Sequence, residues 1–256
     1  MKIKGFTLIE MVMTIIIVGI IFIGAGSVIE MGSRGYADSI DRQRIQNQAR
    51  FIIEKITREI RHAVPNSFNV VSDPLVEKCL TFYPINNAGF YSRNEIDRTL
   101  QFVVDNQGAR MSGASGDRLT INPSQPSDLT NNSRSVSLAG CRDNGITSCT
   151  EVELGTSSTV YSYKVDDDFD SHSISRRYYT YSDLVSYCIS STGVMTKAVG
   201  SGSKNTVGDG LDFSRSQFKY TEPTLQRGGL VHMDLLFVND DEESFYKHDV
   251  QVLNVP

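Results

Sequence analysis

The sequence predicts an α+β protein, with a long N-terminal helix, transmembrane and then amphipathic, packed on an antiparallel β-sheet domain. Three observations predict it. No charged residue falls between Glu10 and Glu30. From Ile45 to Ile60 the apolar residues recur at steps of three or four, one face of an α-helix. After Pro65 the chain changes to short β-branched and aromatic runs between stretches rich in Ser, Thr, Asn and Gly.

The uncharged interval is long enough to cross a bilayer core, since roughly 20 helical residues at about 1.5 Å each span about 30 Å. Lys2 and Lys4 stand in front of it and hold that end on the cytoplasmic side. Glu10 is the anomaly. A carboxylate at the centre of a membrane helix costs about 2.5–3.5 kcal/mol, and less near the interface, so it calls for solvation or a partner. If the chain is cut after Gly5, Phe6 gains a free amine and Glu10 lies one helical turn further on. A neighbouring copy shifted along the helix axis could then set its amine against this carboxylate, which neutralises both charges and fixes an axial register.

Lys4-Gly5-Phe6-Thr7-Leu8-Ile9-Glu10 followed by an apolar run closely resembles the signal of type IV prepilins and type II secretion pseudopilins. The resemblance implies a type IV pilin-like fold. It implies cleavage between Gly5 and Phe6 by a prepilin peptidase, N-methylation of Phe6, and Glu10 as the assembly carboxylate. The implied partners are that peptidase, other major and minor pilins, an inner-membrane assembly platform and membrane lipid. The implied location is the inner membrane, single-pass, with the C-terminal domain in the periplasm, followed by incorporation into a fibre. Where many such anchors carry a proline in their second half, this one carries Gly24 and Gly26. Two other readings compete: a secretory signal cleaved near Gly24-Ala25-Gly26, and a plain uncleaved anchor. Glu10 at the head of the apolar run, and the helical pattern continuing beyond residue 26, argue against the first.

The expected division is a leader over residues 1–5, a transmembrane and assembly helix over 6–29, its amphipathic continuation over 30–64, and a β-rich domain over 65–256. Asp38 with Arg42, and Glu54 with Arg58, are acid-before-base pairs one turn apart that support the second half. Pro65 stops the helix, because the residue before a proline is pushed out of α geometry. A continuous helix of about 58 residues would be about 85 Å long, with Gly32, Ser33 and Gly35 as the expected bend. Ala49–Ser67, together with Cys79–Ile85 and Asn254–Pro256, narrows the resemblance to large minor pilins of the mannose-sensitive haemagglutinin (MSHA) type, and secretion pseudopilins of the J type share the arginine-rich helix end.

Expected strands are 68–71, 80–83, 100–104, 118–122, 160–165, 185–189 and 194–198, and then 230–238 and 248–255, which show the clearest alternation. Asn239–Ser244 reads as a polar hairpin connection, Gly108–Thr159 as an insertion or extended loops, and Gly200–Gly210 as another loop. Four cysteines, an even number behind an export-type signal, fit disulfides. Cys141 with Cys149 could pin a small loop, and Cys79 with Cys188 could join distant strands. Four cysteines allow three connectivities; the local-plus-long-range pairing is the favoured one.

The net charge is −5, and the basic residues do not cluster into a field suited to nucleic acid, so none is expected as a partner. His62, His172, His232 and His248 lack metal-ligand spacing, and no nucleophile elbow, phosphate loop or dinucleotide fingerprint occurs. Asp166, Asp168 and Asp170 have the opening spacing of a calcium loop. Ser171 replaces its glycine and Arg177 its closing glutamate, so they read as a solvated acidic loop and only a weak metal candidate. The expectation is a protein without cofactor or catalysis that works by assembly. The competing functions are a type II secretion pseudopilin and a membrane-tethered adhesive or binding domain.

Overall fold

The structure is a computed structural model that describes residues 5–105, 116–139, 141, 149–154, 158–165, 169, 171–224, 228–239 and 242–252. Among the described residues, one helix, α1 (Leu8–Arg61), leads into fifteen strands. In chain order these are β1 (Asn69–Ser72), β2 (Glu77–Phe82), β3 (Asn87–Asn94), β4 (Thr99–Asp105), β5 (Arg118–Thr120), β6 (Ser135–Ser137), β7 (Cys149–Leu154) and β8 (Ser158–Lys164). They continue with β9 (Arg177–Tyr181), β10 (Val185–Ser190), β11 (Met195–Val199), β12 (Asn205–Gly208), β13 (Gln217–Thr221), β14 (Leu230–Asn239) and β15 (Glu242–Gln251). A 3₁₀ turn, Pro126–Leu129, lies between β5 and β6.

Every pairing is antiparallel, and the strands form three sheets. The five-stranded sheet has the order β1-β2-β10-β11-β12, the three-stranded sheet β13-β14-β15, and the seven-stranded sheet β6-β5-β9-β3-β4-β8-β7. This is the α+β, pilin-like arrangement the sequence predicts.

The inward face of α1 is Ile45, Ala49, Ile52, Ile56 and Ile60, all buried, and it packs on the first two sheets with Leu80, Phe82, Tyr187, Val231, Met233 and Leu235. β12 comes so close to the helix that a Cβ on Gly208 would lie 2.5 Å from Ile52 Cδ1 and would force that side chain to shift. A half-buried ion pair, Lys197 Nζ to Glu59 Oε1 at 2.6 Å, ties helix to sheet beside it.

The helix runs without a break through Gly32, Ser33 and Gly35. Each glycine weakens a helix by about 1 kcal/mol relative to alanine, which a long uninterrupted hydrogen-bond ladder tolerates. α1 ends at Arg61, three residues short of the expected limit at Val64. The following peptides pair outward instead: Val64 N donates to Tyr83 O (2.8 Å) and Ile85 N to His62 O (2.9 Å). Asn66 then turns the chain at φ +59°.

Three loop expectations are corrected. Within 108–159, besides the expected strand seen as β5, the structure has the 3₁₀ turn, β6, β7 and the first residues of β8. Residues 200–210 contain β12. Glu242, Glu243 and Ser244 belong to β15, where Asn239 pairs with Glu242 and Phe237 with Ser244, so the connection shrinks to residues 240 and 241. β3, β9 and β13 are also strands that the expected set lacks.

The seven-stranded sheet has its own core, built on Leu100, Phe102, Val104, Leu119, Ile121 and Tyr178. It enters the chain as one excursion between β2 and β10, which are themselves hydrogen-bonded neighbours with Phe82 opposite Val185. A small cluster of Val64, Leu129, Tyr179 and Tyr181 joins the two cores.

Candidate functional site

The candidate site is the N-terminal end of α1. Gly5, Phe6 and Thr7 precede the helix in non-helical conformation, and all three are exposed. The Gly5–Phe6 peptide is therefore open to a protease. Thr7 is the N-cap, in extended geometry. Glu10 turns back on it: the Thr7 backbone N–H donates to Glu10 Oε2 at 3.3 Å and the Thr7 hydroxyl at 3.2 Å. This is the reciprocal half of a capping box, and it places a carboxylate at the positive end of the helix dipole.

Behind it the helix is apolar and bare. Phe6, Ile9, Ile16, Phe22 and Ile29 are 80%, 70%, 52%, 74% and 71% exposed. The segment is long and apolar enough to cross a membrane, and none of it is buried within the chain. A contiguous apolar surface of this size must be covered by lipid or by other subunits. The geometry offers a scissile bond, a potential amine at Phe6 and a carboxylate one turn away.

The cysteines form two disulfides, Cys79–Cys188 and Cys141–Cys149. The first links directly opposed residues of β2 and β10. The second closes a short loop against the core of the seven-stranded sheet. Glu77 lies beside the Cys79–Cys188 pair, but sulfurs joined to each other leave no thiolate to hold a metal. Asp166, Asp168 and Asp170 lie outside the described residues, as do Asn254–Pro256.

Several polar arrangements were not legible in the sequence. Lys78 Nζ donates to the carbonyls of Phe213 (2.6 Å) and Ser216 (2.9 Å), which fixes the turn before β13. Across the three-stranded sheet, Thr221 Oγ1 lies 3.1 Å from His232 Nε2, and His232 Nδ1 lies 2.8 Å from Asp249 Oδ1. His232 and Asp249 are cross-strand partners, so this is a surface ladder. The Asp212 carboxyl is held down at about 2, chiefly by the Ser214 hydroxyl, then by the Arg215 backbone N–H and guanidinium. Burial pushes the Asp128 carboxyl up, but hydrogen bonds from Ser124 and Gln125 outweigh it and hold it below its ordinary value. Each of these joins groups far apart in sequence or depends on a turn that composition does not reveal.

Residues 1–26 match the protein family described as the prokaryotic N-terminal methylation motif. No curated protein and no solved structure matches the chain. The matched segment, the bare apolar helix and the antiparallel sheets support a type IV prepilin-like protein whose N-terminal helix is long and apolar enough to cross a membrane.

Proposed function

We propose that this chain is a minor pilin, similar to the MSHA pilus biogenesis protein MshO, that takes part in assembling or initiating an MSHA-type type IV pilus. A prepilin peptidase cuts between Gly5 and Phe6 and the new amine of Phe6 is methylated. Residues 6–29 anchor the protein in the inner membrane, residues 30–61 continue the helix, and the remainder forms the periplasmic domain. On assembly, Glu10 exchanges its bonds to Thr7 for the amine of a neighbouring subunit. The protein works by assembly, not catalysis. The observation that carries this reading is the accessible Gly5–Phe6 bond, one turn before Glu10, at the head of an apolar helix that the chain itself leaves uncovered. The resemblance of Ala49–Ser67 and Cys79–Ile85 to MshO supports the finer assignment.

The test is intact-mass and peptide mass spectrometry of the mature N-terminus, from cells with and without the peptidase. The expected result is a chain starting at methylated Phe6 only where the peptidase is present. An uncut Met1 in both strains, or a start near Ser27, would overturn the reading. A second reading, attachment to a surface, is favoured by the inserted seven-stranded sheet with its separate core. Deleting the gene separates the two: loss of surface pili supports the assembly role, whereas normal pili with lost attachment support the second.

A further inference from the structure

The upper half of α1 turns one face to the sheets and the opposite face to solvent, and that outer face is basic. Ile45, Ala49, Ile52, Ile56 and Ile60 define the inward side. Arg44, Phe51 and Arg58 lie opposite at helical spacing, with Arg50, Lys55 and Arg61 on the flanks. Phe51 is 55% exposed, and the Lys55 ammonium stands 5.7 Å from its ring centre. Residues 43–62 contain five bases and two carboxylates, a net +3 in a chain of −5, which leaves −8 for the rest. Both carboxylates are engaged: Glu54 by Arg58 at 3.3 Å and Glu59 by Lys197 at 2.6 Å. Among the described residues Arg44, Arg50 and Arg61 form no ion pair.

An exposed aromatic ring with a lysine against it, on a helix face that carries the unpaired Arg44, Arg50 and Arg61 along its length, has the composition of an interface centre. We propose that this Phe51-centred basic face docks an acidic surface of a neighbouring pilin-like subunit. The proposal rests on the prepilin-like reading. Two observations select the occupant. The face continues, along one side of the helix, into Ile40, Tyr36 and Ile29, which are exposed apolar residues that assembly must cover as well. The alternative of anionic lipid is out of reach: Arg50 lies 21 residues beyond Ile29, about 30 Å along the helix, against a screening length of about 8 Å.

The test is photo-crosslinking from Phe51→p-benzoylphenylalanine in the full chain in its native membrane, with the adduct mapped by mass spectrometry. The expected adduct is an Asp/Glu-rich peptide of a subunit that carries the same N-terminal motif. Arg50→Glu with Arg61→Glu lowers its yield by about tenfold, and Arg50→Lys with Arg61→Lys retains it. Retention of the Cys79–Cys188 disulfide reports that the variants fold. An adduct to lipid, no adduct, or a yield indifferent to charge reversal overturns the proposal. The N-terminus read in the same samples separates the two failures. A methylated Phe6 without the adduct defeats the docking alone, and an uncut N-terminus defeats the prepilin reading on which it rests.

Discussion

In the proposed assembly, two partners compete for the Glu10 carboxylate. In the single chain it accepts from Thr7, through contacts of 3.3 and 3.2 Å that are long for bonds to a charged acceptor. The ammonium of a neighbour in the proposed assembly would offer a shorter, charge-assisted bond, which this local cap leaves open. Glu10→Gln keeps the length of the side chain and an acceptor for the Thr7 N–H, but removes the charge. The expected outcome is an unchanged helix signal in circular dichroism and normal cleavage at Gly5, with little of the variant in sheared fibres. Normal incorporation of the Gln variant would remove Glu10 from the assembly step. Asp212 gives a test in acid. Its folded-state pKa, about 2, lies below its ordinary value of 3.8, so on acidification the unfolded state takes up the proton first. The stability it contributes is therefore fully present above about pH 4 and lost as pH falls towards about 2. In urea unfolding at successive pH values, the wild type should exceed Asp212→Asn by a constant margin above that window and converge with it below. The legible residues in the sequence are those whose meaning is local. Gly5, Phe6 and Glu10 form a pattern within six positions, whereas Asp212 depends on a turn closed by Arg215, which also pairs with Glu243 from β15.

At the scale of elements, α1 was legible because one face repeats at helical spacing, and β14 because Val231, Met233, Leu235 and Phe237 alternate into the core. β15 was only half legible. Its outward positions Glu243, Phe245, Lys247 and Asp249 are exposed, and its start, Glu242-Glu243-Ser244, has the composition of a turn although it is fully paired to β14. β9 hides for the opposite reason: Tyr178, Tyr179, Thr180 and Tyr181 are buried on both faces and leave no alternation. The helix–sheet contact has a measurable centre in Ile56, which is wholly buried. Ile56→Ala should cost about 2–5 kcal/mol in denaturant unfolding of the detergent-solubilised chain, because it leaves a cavity beneath a helix held from one side. The disulfides should rank by the loops they close. Cys79 and Cys188 are 109 residues apart and Cys141 and Cys149 only 8. In the chain-entropy account, Cys79→Ser with Cys188→Ser should cost about 4–5 kcal/mol, and Cys141→Ser with Cys149→Ser about 2–3 kcal/mol. The reverse order in the same unfolding assay would mean that the small loop stabilises the seven-stranded core by packing rather than by closure.

At the scale of the whole molecule, the chain is a helix-and-sheet core interrupted once. Everything from β3 to β9 leaves the core after Phe82 and returns to it at Val185, its cross-strand partner. This arrangement was not legible, since the order β6-β5-β9-β3-β4-β8-β7 pairs strands such as β5 and β9 that composition does not connect, across segments that read as loops. Its consequence is separability. With residues 84–183 replaced by Asn-Gly, Tyr83 and Leu184 extend the existing pairing of β2 with β10, and a two-residue hairpin turn closes it. The excision removes the bonds that Ile85 and Pro84 make to the end of α1, and it uncovers Val64, now buried against Leu129 and Tyr181. Exposing one valine and losing a terminal hydrogen bond each cost about 1–3 kcal/mol, which lowers the midpoint without abolishing the fold. The core of α1 with the five- and three-stranded sheets, which supplies most of the helix contact, is left intact. The shortened chain should therefore unfold in one cooperative transition at lower denaturant and still form the Cys79–Cys188 disulfide. It should also reach the same mature N-terminus as the full chain, because the Gly5–Phe6 bond lies at the far end of α1. If the shortened chain fails to fold, the seven-stranded sheet is part of the core's stability. If it folds and still enters fibres while attachment is lost, assembly resides in the helix and core sheets, and surface contact in the insertion.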